Sequence, residues 1–319
     1  MHPIFSQLEV FGVIPVVVLD DPADAPHVAG ALQDGGLPCA EVTFRTAAAA
    51  KAIEAIATSR PDVLVGAGTV LTVDQVQTAV AAGARFIVAP GLNRKVVEHC
   101  LQHNIPILPG VATPTDVESA LELGLEVVKF FPAEANGGLG FLKAVAAPYR
   151  SIKFVPTGGI QQSNLLSYLK FPRVLACGGS WMVNPELLAA KRYDEIRRLT
   201  SEAIHLMLGF ELRHVGINGS SQEEAAQASG LMSELLQLPV KDGTSSIFVG
   251  GGFEFTKKKF PGDHGHLAIG TNFARRAKAY LERRGHSFRA ETASEKDGTL
   301  ISIYLQQEIG GFALHLLQL

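Results

Sequence analysis

Apolar and polar positions follow one repeating block from Val13 to about Gly178. Each block opens with a short β-branched apolar run, passes through a polar or Gly/Pro turn, and continues into an Ala-rich stretch with helical spacing. The runs are VIPVVVL, CAEVTF, VLVGAG, RFIVAPG, IPILPG, EVVKFFP, IKFVPTGG and VLACGG, eight in all. Helical stretches such as AAAAKAIEAIATS, TVDQVQTAVAAG and NRKVVEHCLQHN lie between them, with Ser, Thr, Asp or Asn near their starts and Gly or Asn near several ends. Eight alternating strand and helix units in about 200 residues predict an α/β chain folded as a (β/α)8 TIM barrel, with a doubly wound open sheet as the alternative.

After Trp181 the rhythm changes. A long helix is expected from about Pro185 to Leu208, and a new texture follows from about Phe210: RHVGIN, the helix-like SQEEAAQASGLMSELL, the strand-like SSIFVGGGFEF, GHLAIG, the helix-like NFARRAKAYLERRG, and strands to HLLQL. HVGI and HLAI recur about 50 residues apart, each followed by an amphipathic helix. The expected organisation is a barrel over residues 1–208 and a smaller α+β domain of duplicated βαβββ type over 209–319.

Composition narrows the class. The chain has 319 residues, is 47% hydrophobic and carries a net charge of −3, enough to bury a large core. The longest basic block is Lys257–Lys259, read as a solvated turn, so no nucleic-acid partner is expected. No apolar run approaches the roughly 20 residues of a membrane span, and VIPVVVL lacks a charged leader with a cleavage site, so a cytoplasmic protein is expected. Cys39, Cys100 and Cys177 are odd in number and widely spaced, which reads as buried thiols.

Lys129 is the awkward residue, with two valines before it and two phenylalanines after it. Burying an unpaired ammonium costs several kcal/mol, about enough to require a reason. Lys153, in the similar run IKFVP, is a competitor, but it follows the turn-like APYRS and so sits near the start of its strand. Lys129 lies toward a strand's carboxyl end, the active face of such barrels. A desolvated amine there can attack a carbonyl and form a Schiff base. On the second strand, alternation puts Glu41, Thr43 and Arg45 on one face, so a carboxylate and a guanidinium can converge on the barrel mouth; a salt bridge capping the strand is the plainer alternative. Thr69 follows GAG on the third strand. The last two strands end in TGGI (Thr157, Gly158, Gly159) and CGGS (Gly178, Gly179, Ser180), where paired glycines can close backbone N–H groups on an anion or simply make tight turns. Together these suggest a phosphorylated carbonyl substrate.

The segments GLPCAEVTFRT, VGAGTVLT, VAPGLN, LPGVATPTD, KFFPAEANGG, PTGGI and CGGSWMV occur in order from about Ile14 to Val183. This stretch closely resembles the 2-keto-3-deoxy-6-phosphogluconate (KDPG) aldolase family of the bacterial Entner–Doudoroff route, whose relatives also act on 4-hydroxy-2-oxoglutarate. The resemblance implies a lyase in which the lysine matching Lys129 forms the Schiff base and the glutamate matching Glu41 shuttles protons. It implies that Arg45 and Thr69 hold the pyruvyl carboxylate, that Pro90 and Phe131 line the pocket, and that Gly158, Gly159, Gly179 and Ser180 form the phosphate end. None of these positions departs from the pattern. It further implies pyruvate as a product, no cofactor for the reaction, and a homotrimer. Cleavage of 4-hydroxy-2-oxoglutarate or of the galactonate-derived analogue is the enzymatic alternative; a non-catalytic sugar-phosphate sensor has no use for a nucleophile with a proton shuttle.

The duplicated tail resembles the vicinal-oxygen-chelate superfamily, which includes glyoxalase I. Members with a metal take one ligand from the first and one from the last strand of each half. Those places fall near His214, Glu254, His266 and His315, a nitrogen and oxygen set suited to Zn, Ni, Mn or Fe; ordinary packed histidines in a tail with a structural or trimer-linked role are the plainer alternative.

Overall fold

In the computed structural model, which describes residues 1–319, the β-branched runs become short parallel strands: β1 (Val13–Val17), β2 (Cys39–Thr43), β3 (Leu64–Gly68), β4 (Ile87–Val88), β5 (Ile107–Leu108), β6 (Gly110–Val111), β7 (Val127–Phe130), β8 (Lys153–Pro156) and β9 (Cys177–Gly179). One sheet has the order β5-β4-β3-β2-β1-β9 and a second the order β6-β7-β8. The run IPILPG, expected as one strand, is split into β5 and β6 because Pro109 has no N–H to contribute to a ladder. A parallel bridge from Thr157 to Gly178 links the end of β8 to β9. The pairings therefore run in a ring, in a TIM-barrel-like α/β arrangement. β1, β2 and β3 are buried at every position, as strands covered on both faces must be.

Helices between the strands begin where the sequence supplies caps. The Thr72 side chain accepts from Gln75 N–H, Asn93 from Lys95 N–H, and Thr113 forms a reciprocal box with Asp116. The long helix expected from Pro185 to Leu208 is instead two, Pro185–Ala189 and Tyr193–Leu208. Lys191 turns left-handed between them (φ 51°), and Arg192 N–H reaches back to the Leu187 carbonyl at 2.9 Å, which closes the first helix.

The chain divides into two compact units, Met1–Met207 and Leu208–Leu319. The second repeats one order of elements: β10 (Glu211–Asn218), helix Gln222–Leu236, β11 (Val240–Asp242), β12 (Ser246–Val249) and β13 (Phe253–Thr256), then β14 (Gly265–Thr271), helix Ala274–Arg283, β15 (Ser294–Lys296), β16 (Thr299–Ile309) and β17 (Phe312–Gln318). These strands form one mixed sheet in the order β11-β12-β13-β10-β14-β17-β16-β15. Ala225, Ile247, Val249 and Phe255 make a core between its first half and the first helix.

Each unit buries its own apolar residues, so a chain ended at Leu208 is expected to fold by itself. Far-ultraviolet circular dichroism with cooperative thermal unfolding checks this. A noncooperative, unfolded fragment would contradict it.

Candidate active site

The ring of parallel strands carries Lys129 on β7 and Glu41 on β2 into one buried interior. Their side chains are 7% and 3% exposed, and Nζ lies 3.5 Å from Glu41 Oε1. Glu41 Oε1 makes no hydrogen bond, so the lysine is its electrostatic partner. Two glycines shape the surroundings of the pair. A Cβ on Gly68, which ends β3 beside Thr43 in register, would come within 2.2 Å of Glu41 Oε1. Gly110 is the register partner of Lys129, and a Cβ there would meet the Pro90 carbonyl oxygen at 2.0 Å. Thus Pro90 packs by its backbone against the strand next to the lysine.

A cavity of about 190 Å³ is lined by Arg45, Phe131, Thr157, Gly158, Gly159, Gly178, Gly179 and Ser180 among others, and Lys129 and Glu41 are not on its wall. Phe131 belongs to both places: it lines the cavity, and its ring centroid lies 5.0 Å from Lys129 Nζ. Gly158 and Gly159 have φ of 96° and 81°, a left-handed turn that side chains other than glycine rarely adopt. Gly178 and Gly179 are close approaches instead. Their added Cβ atoms would strike Thr157 Oγ1 at 2.4 Å and the Trp181 ring at 2.0 Å.

Two placements differ from the strand reading. β2 ends at Thr43, so Arg45 lies on the turn beyond it, where Phe44 N–H makes a last ladder bond to the Gly68 carbonyl (2.7 Å). Thr69 lies just past β3 with φ 56°, and neither Thr69 nor Pro90 lines the cavity. Lys153 opens β8 and pairs at 2.6 Å with Glu9 of the helix Pro3–Phe11, a third exposed and outside the cavity. Sequence reasoning missed the apolar walls Val16, Val18, Ile160, Val183, Pro185 and Leu188. The i, i+2 spacing of Val16 near the end of β1 and Val18 just beyond it is the available signal.

In the second unit, the four candidate ligands stand on adjacent strands β10, β13, β14 and β17. Gly216 pairs with both Glu254 and His266, and Ala268 pairs with both His214 and His315. His214 Nε2 lies 3.0 Å and His266 Nε2 3.1 Å from the same Glu254 oxygen, and the two nitrogens are 3.1 Å apart. Ligand atoms of His214, His266 and His315 all lie within 4.8 Å of one another. Both ring nitrogens of buried His315 lack a hydrogen-bond partner. Burial, then the neighbouring His266 and His214, push His315 down to about 4, leaving a neutral ring with a free lone pair. Burial would raise the Glu254 carboxyl, but hydrogen bonds with His214, His266 and Ser246 hold it well below the usual carboxylate range. Three imidazoles with ligand atoms within 4.8 Å of one another, and an ionised carboxylate hydrogen-bonded to two of them, form a donor set whose chemistry suits a divalent cation.

The KDPG and KHG aldolase family model matches residues 4–199. The 2-dehydro-3-deoxy-phosphogluconate aldolase of Treponema pallidum (strain Nichols) is 53% identical over 207 residues, 65% of this chain and 99% of that protein. The protein of the same name from Haemophilus influenzae is 47% identical over 204 residues, 64% of this chain and 96% of its own length. A crystal structure of the KDPG aldolase of Legionella pneumophila, with pyruvate captured as a covalent carbinolamine, superposes with a TM-score of 0.59 at 42% identity, over 61% of this chain and 96% of that one.

The glycine beside Glu41 generates a test. Gly68→Ala is expected to displace the carboxylate from Lys129 and to cost roughly 1–3 kcal/mol by overpacking. Urea denaturation and a crystal structure of the variant check it; an unchanged midpoint with the 3.5 Å pair intact would contradict the packing described.

Proposed function

Because the chain belongs to the KDPG and KHG aldolase family, we propose that its first unit is a Schiff-base lyase cleaving 2-keto-3-deoxy-6-phosphogluconate to pyruvate and glyceraldehyde 3-phosphate. The observation that carries this reading is the buried Lys129–Glu41 pair together with a cavity that has a guanidinium and a glycine cradle on its wall. Glu41 takes a proton from the Lys129 ammonium, the freed amine attacks the C2 ketone, and that proton leaves with the carbinolamine hydroxyl as water, giving an iminium beside the restored carboxylate. As the C4 hydroxyl proton passes to the Glu41 carboxylate, the C3–C4 electron pair flows into the iminium and the aldehyde departs. Glu41 then returns a proton to C3 of the enamine, and water releases pyruvate from Lys129. No step calls on a Lewis acid.

Arg45 presents a planar fork suited to the substrate carboxylate, with Thr69 assisting at the same end. Gly158, Gly159, Gly179 and Ser180 face the phosphate. Their backbone N–H groups bind an anion without adding a buried charge of their own. This cradle favours the phosphorylated substrate over 4-hydroxy-2-oxoglutarate. Assembly as a homotrimer is carried over from the resemblance, and light scattering measures it.

For the second unit we propose a vicinal-oxygen-chelate-type domain whose His214, Glu254, His266 and His315 hold one divalent cation. A bound ion would supply Lewis-acid polarisation of an oxygen ligand and would neutralise the crowded imidazole and carboxylate donors.

Two outcomes follow. Pyruvate with borohydride is expected to trap a covalent adduct on Lys129, found by peptide mass spectrometry, and Lys129→Ala should lose turnover at least about a thousandfold; labelling of Lys153 would overturn the assignment. Elemental analysis of the purified protein is expected to find about one divalent ion per chain, released by His266→Ala, with cleavage unaffected by EDTA. A metal-free wild-type protein, or an EDTA-sensitive lyase, would contradict this division.

A further inference from the structure

The glycine cradle is tied to the lysine's strand by a pair of residues that do not line the cavity. The loop after β7 begins at Phe131, runs past Ala133 and Glu134, and lies against the turn after β8. Ala133 N–H donates to the Thr157 carbonyl at 2.7 Å, and Glu134 N–H to the Gly158 carbonyl at 3.0 Å. Glu134 also fills the space that Gly159 leaves: a Cβ there would lie 2.6 Å from both its Cβ and its Cγ. The far end of the same side chain is held by the Tyr168 hydroxyl, which donates to Glu134 Oε1. Tyr168 is buried, and burial followed by the hydrogen bond to Glu134 pushes its hydroxyl far above the usual phenol range, so it remains a donor. On the other side, Asn164 Nδ2 donates to the Gly159 carbonyl at 3.0 Å.

A carboxylate this close to an anion site is unfavourable unless its charge is held to one side. The Tyr168 hydroxyl does that, binding one oxygen of Glu134 while its methylene groups press on Gly159. We propose that the Glu134–Tyr168 pair is a positioning latch that sets the glycine cradle relative to Lys129 and thereby governs binding of the substrate's phosphate monoester end. This rests on the reading of the cradle as the phosphate site.

Trp181 offers a probe, since it is the sole tryptophan and its ring lies against Gly179 of the cradle. Inorganic phosphate titrated into the full-length protein is expected to change its fluorescence. Tyr168→Phe and Glu134→Ala should each weaken that binding by about tenfold, the size of one lost hydrogen bond to a charged group. Glu134→Gln, which keeps an acceptor for the tyrosine, should bind like wild type. In turnover, Tyr168→Phe should raise KM for the phosphorylated substrate by about tenfold with kcat within about twofold, and leave KM for 4-hydroxy-2-oxoglutarate unchanged. Equal losses on both substrates, or phosphate binding unaltered by both Tyr168→Phe and Glu134→Ala, would overturn the latch while leaving the cradle in place. Wild-type protein that does not bind phosphate would overturn the cradle reading and the latch with it.

Discussion

A buried ammonium opposite a buried carboxylate is the constraint around which the first unit is arranged. At 3.5 Å, with both side chains almost fully enclosed, the Lys129–Glu41 pair offers poor value for stability: a well-packed apolar pair would serve as well or better by roughly 1–4 kcal/mol. Its neighbours are chosen to admit it. Gly68 leaves space for the carboxylate, Gly110 lies in register with the lysine, and Phe131 lays its ring near the ammonium instead of a second charge. The closed ring of parallel strands matters because it brings residues 88 positions apart in sequence onto one interior.

The cavity works by a different principle. The groups proposed to react are side chains set on strands, whereas the proposed cradle is backbone, exposed where glycine removes the side chain. Gly158 and Gly159 turn the chain left-handed, and Gly178 allows the Thr157 hydroxyl to approach. Strand ends supply rigid positions and the following turns supply N–H groups, which is why barrel chemistry gathers at one rim. In the second unit the same economy appears in a sheet: four polar side chains on four adjacent strands meet because each strand alternates and their registers coincide at Gly216 and Ala268.

Much of this was legible in the amino-acid order. Lys129 announced itself by its apolar neighbours, and Lys153 could be set aside by its place after a turn; the structure pairs the latter with Glu9. The histidines of HVGI and HLAI marked equivalent strands, and their ring nitrogens lie 3.1 Å apart. What escaped was tertiary in origin. The break at Pro109 and the left-handed Lys191 are local, but their consequence for strand and helix length depends on packing partners. Arg45 was read onto β2 because alternation continues past Thr43, although the chain turns there. The walls Val183, Pro185 and Leu188 follow the last strand and carry no chemical signature, so only the folded chain reveals that they close the cavity.

In the proposed reaction Glu41 moves protons for a carbon held on Lys129. Nuclear magnetic resonance of pyruvate in heavy water measures that movement, since each enamine that is reprotonated exchanges a methyl hydrogen for deuterium. Wild-type protein should exchange the methyl group rapidly, and Glu41→Gln should slow exchange by about a hundredfold or more while the lysine still forms its adduct. Exchange at the wild-type rate in the Glu41→Gln variant would contradict the central claim.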